Sequence, residues 1–286
     1  MIFLLDIIRG VFIGVANVIP GVSGGTMAVS FGVYDRLIAS LTGLFKNFKK
    51  SMETIIPIGI GGLIGIVGFA FLIKELFKWF PVAACLTFIG LILGGLPILV
   101  GSFKRSLEAE ATGIKARHIV AFVALFAFGI GMSLIGGEGA AVDLTQLDVA
   151  TIVLLFAVGM IASATMVIPG VSGSMILMIL GYYHPVIGTI TDFVTALKNL
   201  DMAGLMQGVT VLMPFGLGVV AGIFLIAKLI DILFKKYAAL TYSAILGLIV
   251  SSPFAIAIQM DIMEVVIGMV LLAAGAVVTW KVGDDK

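Results

Sequence analysis

The sequence has few of the residues on which most enzymes and metal proteins depend. Charged residues make up 12% of its 286 positions, and it has two histidines and a single cysteine, Cys85. One cysteine excludes an intrachain disulfide, and two histidines with one cysteine cannot supply a Cys/His zinc cluster. No phosphate-binding loop of the GxxxxGK[ST] type occurs. We therefore expect no metal and no cofactor, and the net charge of +1 predicts no nucleic-acid partner.

Hydrophobic residues are abundant instead. They make up 61% of the chain, and the mean hydropathy is +1.25. Long stretches contain no Asp, Glu, Lys or Arg: 10–34, 54–73, 79–103, 119–137, 149–183, 202–227, 237–260 and 265–280. A helix needs about 20 apolar residues to cross the hydrocarbon core of a bilayer. The pattern predicts an all-α, multi-pass membrane protein whose surroundings are the lipid bilayer.

One phrase occurs twice in the chain. NVIPGVSGGT occupies residues 17–26, and MVIPGVSGSM occupies residues 166–175. Residues 1–148 and 149–286 are therefore predicted to be two copies of one unit, within one integrated membrane domain. Other matched pairs in the two copies are Gly10 and Gly159, Gly32 and Gly181, Tyr34 and Tyr183, Pro57 and Pro214, Gly59 and Gly216, Gly61 and Gly218, Gly65 and Gly222, Gly90 and Gly247, and Gly129 and Gly275.

Each copy is predicted to hold one broken helical segment followed by three transmembrane helices, which in the first copy are 54–73, 79–103 and 119–137. The broken segment is either a re-entrant hairpin or two nearly full crossings, since an arm of about 17 residues reaches only about 25 Å. In both cases it returns the chain to the side from which it came. Each copy then crosses the membrane an odd net number of times, so the second is predicted to be inverted relative to the first.

The basic residues give an independent prediction of orientation. With the N-terminus in the cytoplasm, all but Lys74, Lys78 and Lys198 of the 17 lysines and arginines lie on the cytoplasmic side. Cytoplasmic loops of membrane proteins carry such an excess of Lys and Arg. Both termini are therefore predicted to be cytoplasmic.

The repeated phrase has the residue types that stop one helix and start another. Proline removes a backbone donor and glycine permits unusual conformations, so the predicted helix breaks are Pro20, Gly21, Pro169 and Gly170. Serine can cap the next helix, whose start attracts anions, phosphate above all. The predicted substrate-binding residues are Ser23, Gly24, Gly25, Thr26, Ser172, Gly173 and Ser174. The alternative is that these small residues only allow helices to pack closely.

Six further polar residues near the motifs are candidates for head-group binding or ion coupling: Asn17, Arg36, Asp35, Asp6, Arg9 and His184. Asp6 and Arg9 lie one helical turn apart and are expected to pair. Arg36 follows the first motif serine by 13 residues. This spacing is about 20 Å along a straight helix, which places Arg36 near the cytoplasmic face, where it would also serve as a positive-inside anchor. His184, expected near the outer face, is either a candidate for pH-dependent coupling or an ordinary interfacial histidine.

The stretches GVANVIPGVSGGTMAVSFGVYDRLI and IPGVSGSMILMILGYY resemble the undecaprenyl-phosphate (polyprenyl-phosphate) translocase family of the PopT type, and the resemblance extends over essentially the full length. It implies transport of undecaprenyl phosphate, the C55 lipid carrier, from the outer to the cytoplasmic leaflet of a prokaryotic plasma membrane. The carrier is then reused in cell-envelope synthesis. The chain departs from the family pattern at Asn17, where Asp is expected. Asn17 matches Met166 in the second copy, so its polar contacts are not expected to be duplicated.

A polyprenyl phosphate has a charged head group that cannot cross hydrocarbon unaided and a tail that need not leave it. The predicted mechanism is alternating access, in which opposed helix N-termini hold the phosphate while one copy rocks against the other. The inside-negative potential opposes inward movement of negative charge, so net inward flux needs either a concentration gradient or co-transported cations. A coupling ion, either proton or sodium, is the expectation.

Three other functions fit parts of the pattern. A secondary transporter of a small soluble anion would use the same helix starts. A polyprenyl-pyrophosphate phosphatase would share the broken inverted repeats, but Gly24 and Gly173 follow the motif serines where such enzymes are expected to have Arg. The chain is therefore predicted not to be an enzyme. A scaffold protein would leave the two helix breaks without a purpose.

Overall fold

The computed structural model describes residues 2–18, 23–135, 139–144, 148–257 and 265–283. These residues form twelve α-helices, and no β-strand occurs among them, which confirms the predicted all-α fold. The helices are α1 Ile2–Val18, α2 Gly24–Ser30, α3 Tyr34–Thr42, α4 Phe48–Trp79, α5 Pro81–Ala109, α6 Ala116–Leu134, α7 Val149–Val167, α8 Gly173–Ile179, α9 Tyr183–Asn199, α10 Met202–Lys236, α11 Ala238–Ala257 and α12 Val265–Gly283.

Five of the described helices are long and apolar enough to span a membrane: α4, α5, α6, α7 and α10. Of these, α4, α5 and α6 confirm the three spans predicted for the first copy. Helices α8 and α9 form a bent re-entrant pair whose axes are inclined by 107°. Helices α11 and α12 contain shorter apolar stretches. Large apolar side chains such as Leu63, Val67 and Val120 are exposed, as a lipid-facing surface requires.

The chain divides into two compact units. Unit 1 comprises Met1–Leu134, Ile168–Val171 and Ala227–Lys286. Within it α1 packs along α4, α5 packs along α12, and α6 packs along α11. Helices α5 and α6 belong to the first predicted copy and α11 and α12 to the second. Each of the last two helices of the first predicted copy therefore packs along one of the last two helices of the second.

Unit 2 comprises Ile135–Val167 and Ser172–Ile226. It contains α7, α8, α9 and most of α10. Its hydrophobic core is built from the buried residues Leu144, Leu155, Val158, Tyr182, Val186 and Val211. The extended segment 139–144 adds to this core, and the Val142 amide donates a hydrogen bond of 3.1 Å to the Gly181 carbonyl.

Close helix packing explains why glycines dominate the matched positions of the two copies. Helices α1 and α4 approach so closely that a Cβ on Gly61 would overlap the Ile7 carbonyl. In unit 2 a Cβ on Gly218, the match of Gly61, would overlap the Phe156 carbonyl of α7. The sequence repeat is thus also a repeat of helix contacts. The inverted relation of the copies and the boundary between residues 148 and 149 stay predictions.

Both motif helices are short, and a glycine follows two residues after the last residue of each. Helices α2 and α8 have seven residues each. Gly32 follows α2 with φ +66°, and Gly181 follows α8 with φ +76°. A glycine in this left-handed region ends a helix, because it turns the chain away from the helix axis. The expectation of one straight helix from the first motif to Arg36 is therefore wrong, since α3 starts as a separate helix at Tyr34.

Candidate functional site

The first amides of the first motif helix, α2, already donate hydrogen bonds to oxygen atoms of the protein. Ser23 is its N-cap, as predicted, and the Ser23 Oγ accepts a hydrogen bond of 3.2 Å from the Gly25 amide. Asn17, near the end of α1, accepts a bond of 3.3 Å from the Gly24 amide through Oδ1. Ser23, Gly24 and Thr26 are buried. In this conformation α2 therefore offers an anion no free amide at Gly24 or Gly25.

The two motifs are in direct contact within unit 1. The Thr26 Oγ1 accepts a hydrogen bond of 2.8 Å from the Gly170 amide, and Thr26 is only 1% exposed. Gly170 has φ +80°, a conformation that glycine adopts without strain. Pro169 beside it is buried. The break at Pro169 and Gly170 is thus packed against the start of α2. Pro20 and Gly21, the predicted break of the first motif, lie outside the described residues.

The second motif helix, α8, has a different start. Ser172 is its N-cap, as predicted; the Ser172 Oγ accepts from the Met175 amide at 3.4 Å and lies 2.9 Å from the Ser174 Oγ. Within the described ranges, no protein acceptor takes the amides of Gly173 or Ser174. Ser172 and Ser174 are half-buried. The start of α8 therefore presents two half-buried hydroxyls, while Gly173 between them is buried.

The difference between the motifs comes from one matched position. Asn17 in the first copy packs over Gly24 and caps it, and a Cβ on Gly24 would lie 2.8 Å from the Asn17 Oδ1. Met166 in the second copy packs over Gly173 with its apolar Cγ and offers no such acceptor. The expectation that the polar contact of Asn17 is not duplicated is confirmed. Both glycines are required because a side chain lies across them.

Three of the predicted charged residues form one cluster in unit 1. The Asp6 carboxylate lies 3.3 Å from Arg9 Nη1 and 2.5 Å from Arg36 Nη2, which confirms the expected pairing of Asp6 with Arg9. Arg9 also donates to the Val282 carbonyl at 2.7 and 3.1 Å, in the last turn of α12. Asp6 and Arg9 are 1% and 5% exposed. The cluster ties the ends of α1, α3 and α12 together, so the broken segment does return the chain to its starting end.

The other two charged candidates lie elsewhere. Asp35 accepts a hydrogen bond from the Tyr242 hydroxyl of α11 through Oδ2. His184 belongs to unit 2, where its ring packs edge-on against Tyr183 with 5.3 Å between the ring centroids. Among the described residues, no group of three or more His, Cys, Asp or Glu side chains is arranged to hold a metal ion.

Unit 1 contains a cavity of about 480 Å³ between α3, α5, α10 and α11. Polar side chains dominate its lining: Asp35, Ser102, Arg105, Glu110, Lys235, Lys236 and Tyr242. A smaller void of about 40 Å³ is lined by Asp35, Ser102 and Tyr242 as well, and on another side by Val29 of α2. Of the sequence-predicted site residues that the structure describes, Asp35 alone lines the cavity.

Sequence reasoning placed the other cavity residues in a different role. It assigned Arg105, Lys235 and Lys236 to the general excess of positive charge in cytoplasmic loops. The orientation rule accounts for each of these three residues separately. Nothing in the sequence therefore indicated that their side chains line one cavity. Tyr242 carried no signal, because its contact with Asp35 joins residues 207 positions apart.

Comparison with known proteins places this sequence in a family. Residues 13–270 match the family model described as undecaprenyl phosphate translocase-like. A Staphylococcus aureus protein named polyprenyl-phosphate transporter is 30% identical over 283 residues, which cover 98% of this chain and 95% of that protein. A Vibrio cholerae protein of the same name is 28% identical over 268 residues, 88% of this chain and 77% of that protein. No solved structure matches the chain. The chain therefore belongs to the undecaprenyl phosphate translocase-like family.

Proposed function

We propose that this protein transports a polyprenyl phosphate, and that the substrate is undecaprenyl phosphate moved from the outer to the cytoplasmic leaflet of the plasma membrane. The names of the two relatives support the substrate class. The observation that carries the proposal is the contact of Thr26 with Gly170, in which a side chain of the first motif satisfies the backbone break of the second. Backbone breaks at membrane depth persist only where protein or a wet cavity satisfies them. The contact therefore brings the two motifs to one place in unit 1.

The starts of the two motif helices are the groups proposed to hold the phosphate head group. The start of α8 offers the hydroxyls of Ser172 and Ser174. The start of α2 is closed by Asn17 and by the Thr26 contact. In this proposal the head group reaches Ser23, Gly24, Gly25 and Thr26 only after the Thr26–Gly170 bond opens. Opening of that bond is the proposed step of alternating access.

Movement of the phosphate into the cell works against the membrane potential. The cost is about 2.3 kcal/mol per charge per 100 mV, so we propose that a proton or sodium ion is co-transported. Asp6 is an unsuitable carrier because its carboxylate neutralises the guanidinium groups of Arg9 and Arg36. Asp35 and His184 remain the proposed coupling groups. Transport indifferent to both pH gradient and membrane potential would show that no coupling ion is used.

The test is a transport assay with purified protein in liposomes that contain undecaprenyl phosphate. A head-group-specific binder added outside measures how fast the phosphate leaves the outer leaflet. Ser172→Leu fills the start of α8 and is expected to stop this movement, whereas Thr191→Leu, an exposed threonine on α9, is the matched control. Movement of inorganic phosphate alone would favour a small-anion transporter, and release of phosphate from a polyprenyl pyrophosphate would favour an enzyme.

A further inference from the structure

The cavity in unit 1 carries more positive than negative charge. Its charged lining residues are three cations and two carboxylates: Arg105, Lys235, Lys236, Asp35 and Glu110. Both carboxylates accept hydrogen bonds from the protein. Asp35 Oδ2 accepts from the Tyr242 hydroxyl, and Glu110 Oε1 accepts from the Ala239 amide at 2.9 Å. The second oxygen of Glu110 lies 3.4 Å from the guanidinium of Arg117. Each carboxylate of the lining therefore already has a hydrogen-bond partner in the protein.

The three cations have fewer partners of opposite charge. Lys235 Nζ lies 2.6 Å from the Asp231 carboxylate. The Nη2 of Arg105 instead donates to the neutral Ser102 Oγ at 3.0 Å. In the part of the chain that the structure describes, neither Arg105 nor Lys236 forms an ion pair. Two such cations facing one concave site attract an anion, and a guanidinium beside an ammonium is a combination that binds phosphate.

We propose that this cavity is a second phosphate site, one that binds a phosphate monoester dianion through Arg105 and Lys236. Its volume of about 480 Å³ lies within the range of about 300–1,000 Å³ typical of small-molecule sites. The charges that line it belong to loops and helix ends predicted to be cytoplasmic. The proposal rests on the proposed function in one respect: the monoester is the head group of the polyprenyl phosphate on its arrival at the cytoplasmic end.

The smaller void shares part of its lining with this site and with the motif helix. It is lined by Val29 of α2 and by the Asp35–Tyr242 pair, and that pair also lines the large cavity. The Asp35–Tyr242 pair is therefore common to both spaces. In this proposal a head group that leaves the motif along α2 passes this pair before it meets Arg105 and Lys236.

Binding and transport are measured on the full chain with matched variants. Arg105→Gln combined with Lys236→Gln removes two charges from the cavity, whereas Lys104→Gln combined with Lys228→Gln removes two exposed charges that do not line it. The probes are farnesyl phosphate, farnesol and inorganic phosphate, titrated by calorimetry at low ionic strength. We expect the cavity variant to weaken farnesyl phosphate binding at least tenfold, the control to change it less than twofold, and farnesol not to bind. Lys236→Arg keeps the charge and is expected to retain binding.

The outcomes separate this inference from the proposed function. Unchanged farnesyl phosphate binding by a folded cavity variant overturns the second site, while wild-type lipid transport in the same preparation leaves the proposed function intact. Absence of wild-type lipid transport rejects the proposed function whatever the binding shows. If inorganic phosphate binds as tightly as farnesyl phosphate and is lost in the cavity variant, the site takes free phosphate and the lipid head group is the wrong source. Thermal unfolding of both double variants checks that each remains folded.

Discussion

The Thr26 hydroxyl accepts a hydrogen bond of 2.8 Å from the Gly170 amide, so a side chain of the first motif satisfies the backbone break of the second. Thr26→Val keeps the shape of the side chain and removes the acceptor. An N–H group left buried without a partner costs about 1–3 kcal/mol. We expect a lower midpoint of thermal unfolding for Thr26→Val, and a value near wild type for Thr26→Ser.

The same two variants test whether this bond opens during transport. If it does, Thr26→Val shifts the balance between the closed and open arrangements and changes the transport rate by more than its loss of stability explains. Lipid transport and unfolding are therefore measured on the same samples. A Thr26→Val protein that is less stable but transports at the wild-type rate would show that the bond has a structural role only.

The matched glycines predict a paired result in the two copies. Gly61→Ala introduces a methyl group against the Ile7 carbonyl, whereas a Cβ on Gly59, two residues earlier in α4, meets nothing within 4 Å. Overpacking costs about 1–3 kcal/mol, while Gly→Ala at an open helix position gains up to about 1 kcal/mol. We expect Gly61→Ala to unfold at lower temperature than wild type and Gly59→Ala at the same or higher temperature. Gly218→Ala and Gly216→Ala repeat the comparison in α10, where Gly216 is also open.

If the helix contacts repeat, the variant at the packed glycine must be less stable than the variant at the open glycine in both α4 and α10. An equal effect of Gly61→Ala and Gly59→Ala would contradict the close approach of α1 and α4. Agreement in α4 with disagreement in α10 would restrict the repeat to its first copy. The four single-alanine variants differ from wild type by one methyl group each, so differences in hydrophobicity do not confuse the result.

The sequence allowed the helix starts at Ser23 and Ser172 to be predicted because a cap is a local device, made by a serine and the amides two or three residues after it. The breaks at Gly32 and Gly181 were not predicted, although the two residues match in the repeat. A lone glycine within an apolar run is tolerated in a helix. Its positive φ follows from tertiary packing, such as the hydrogen bond from the Val142 amide to the Gly181 carbonyl.

The cavity residues were also not predicted from the sequence, because they are far apart along the chain. Arg105 lies on α5 and Lys236 at the end of α10, so their meeting depends on how distant helices pack. Hydropathy identifies each helix but not its neighbours, because membrane helices associate through packing rather than through a hydrophobic pattern. The pairing of α5 with α12 and of α6 with α11 was therefore also beyond prediction.

The cap that Asn17 provides predicts a difference between two substitutions. Asn17→Asp keeps an oxygen that can accept from the Gly24 amide and adds a negative charge at a helix start, which is worth about 0.3–1 kcal/mol. Asn17→Met reproduces the residue of the second copy and removes the cap, at a cost of about 1 kcal/mol. Hydrogen exchange in peptides that contain residues 23–30 is the measurement. We expect faster exchange in Asn17→Met than in wild type, and no increase in Asn17→Asp. Equal exchange in all three proteins would mean that Asn17 does not cap α2.

The buried cluster around Asp6 predicts the largest loss of stability. Asp6→Asn removes the carboxylate that faces both Arg9 and Arg36, and removal of one partner from a buried ion pair costs about 3–5 kcal/mol. Arg36→Gln should cost less, because the Arg36 side chain is 41% exposed and solvent screens its charge. Asp231→Asn breaks an ion pair with a largely exposed lysine and serves as the control, with an expected change below about 1 kcal/mol. Unfolding midpoints should therefore fall in the order Asp231→Asn, Arg36→Gln, Asp6→Asn.

The loss of stability in Asp6→Asn is expected to begin at the end of α12. Arg9 donates hydrogen bonds to the Val282 carbonyl there, so amide hydrogen exchange should rise first in that turn. If Asp6→Asn were no more harmful than Asp231→Asn, the cluster would not tie these helix ends together.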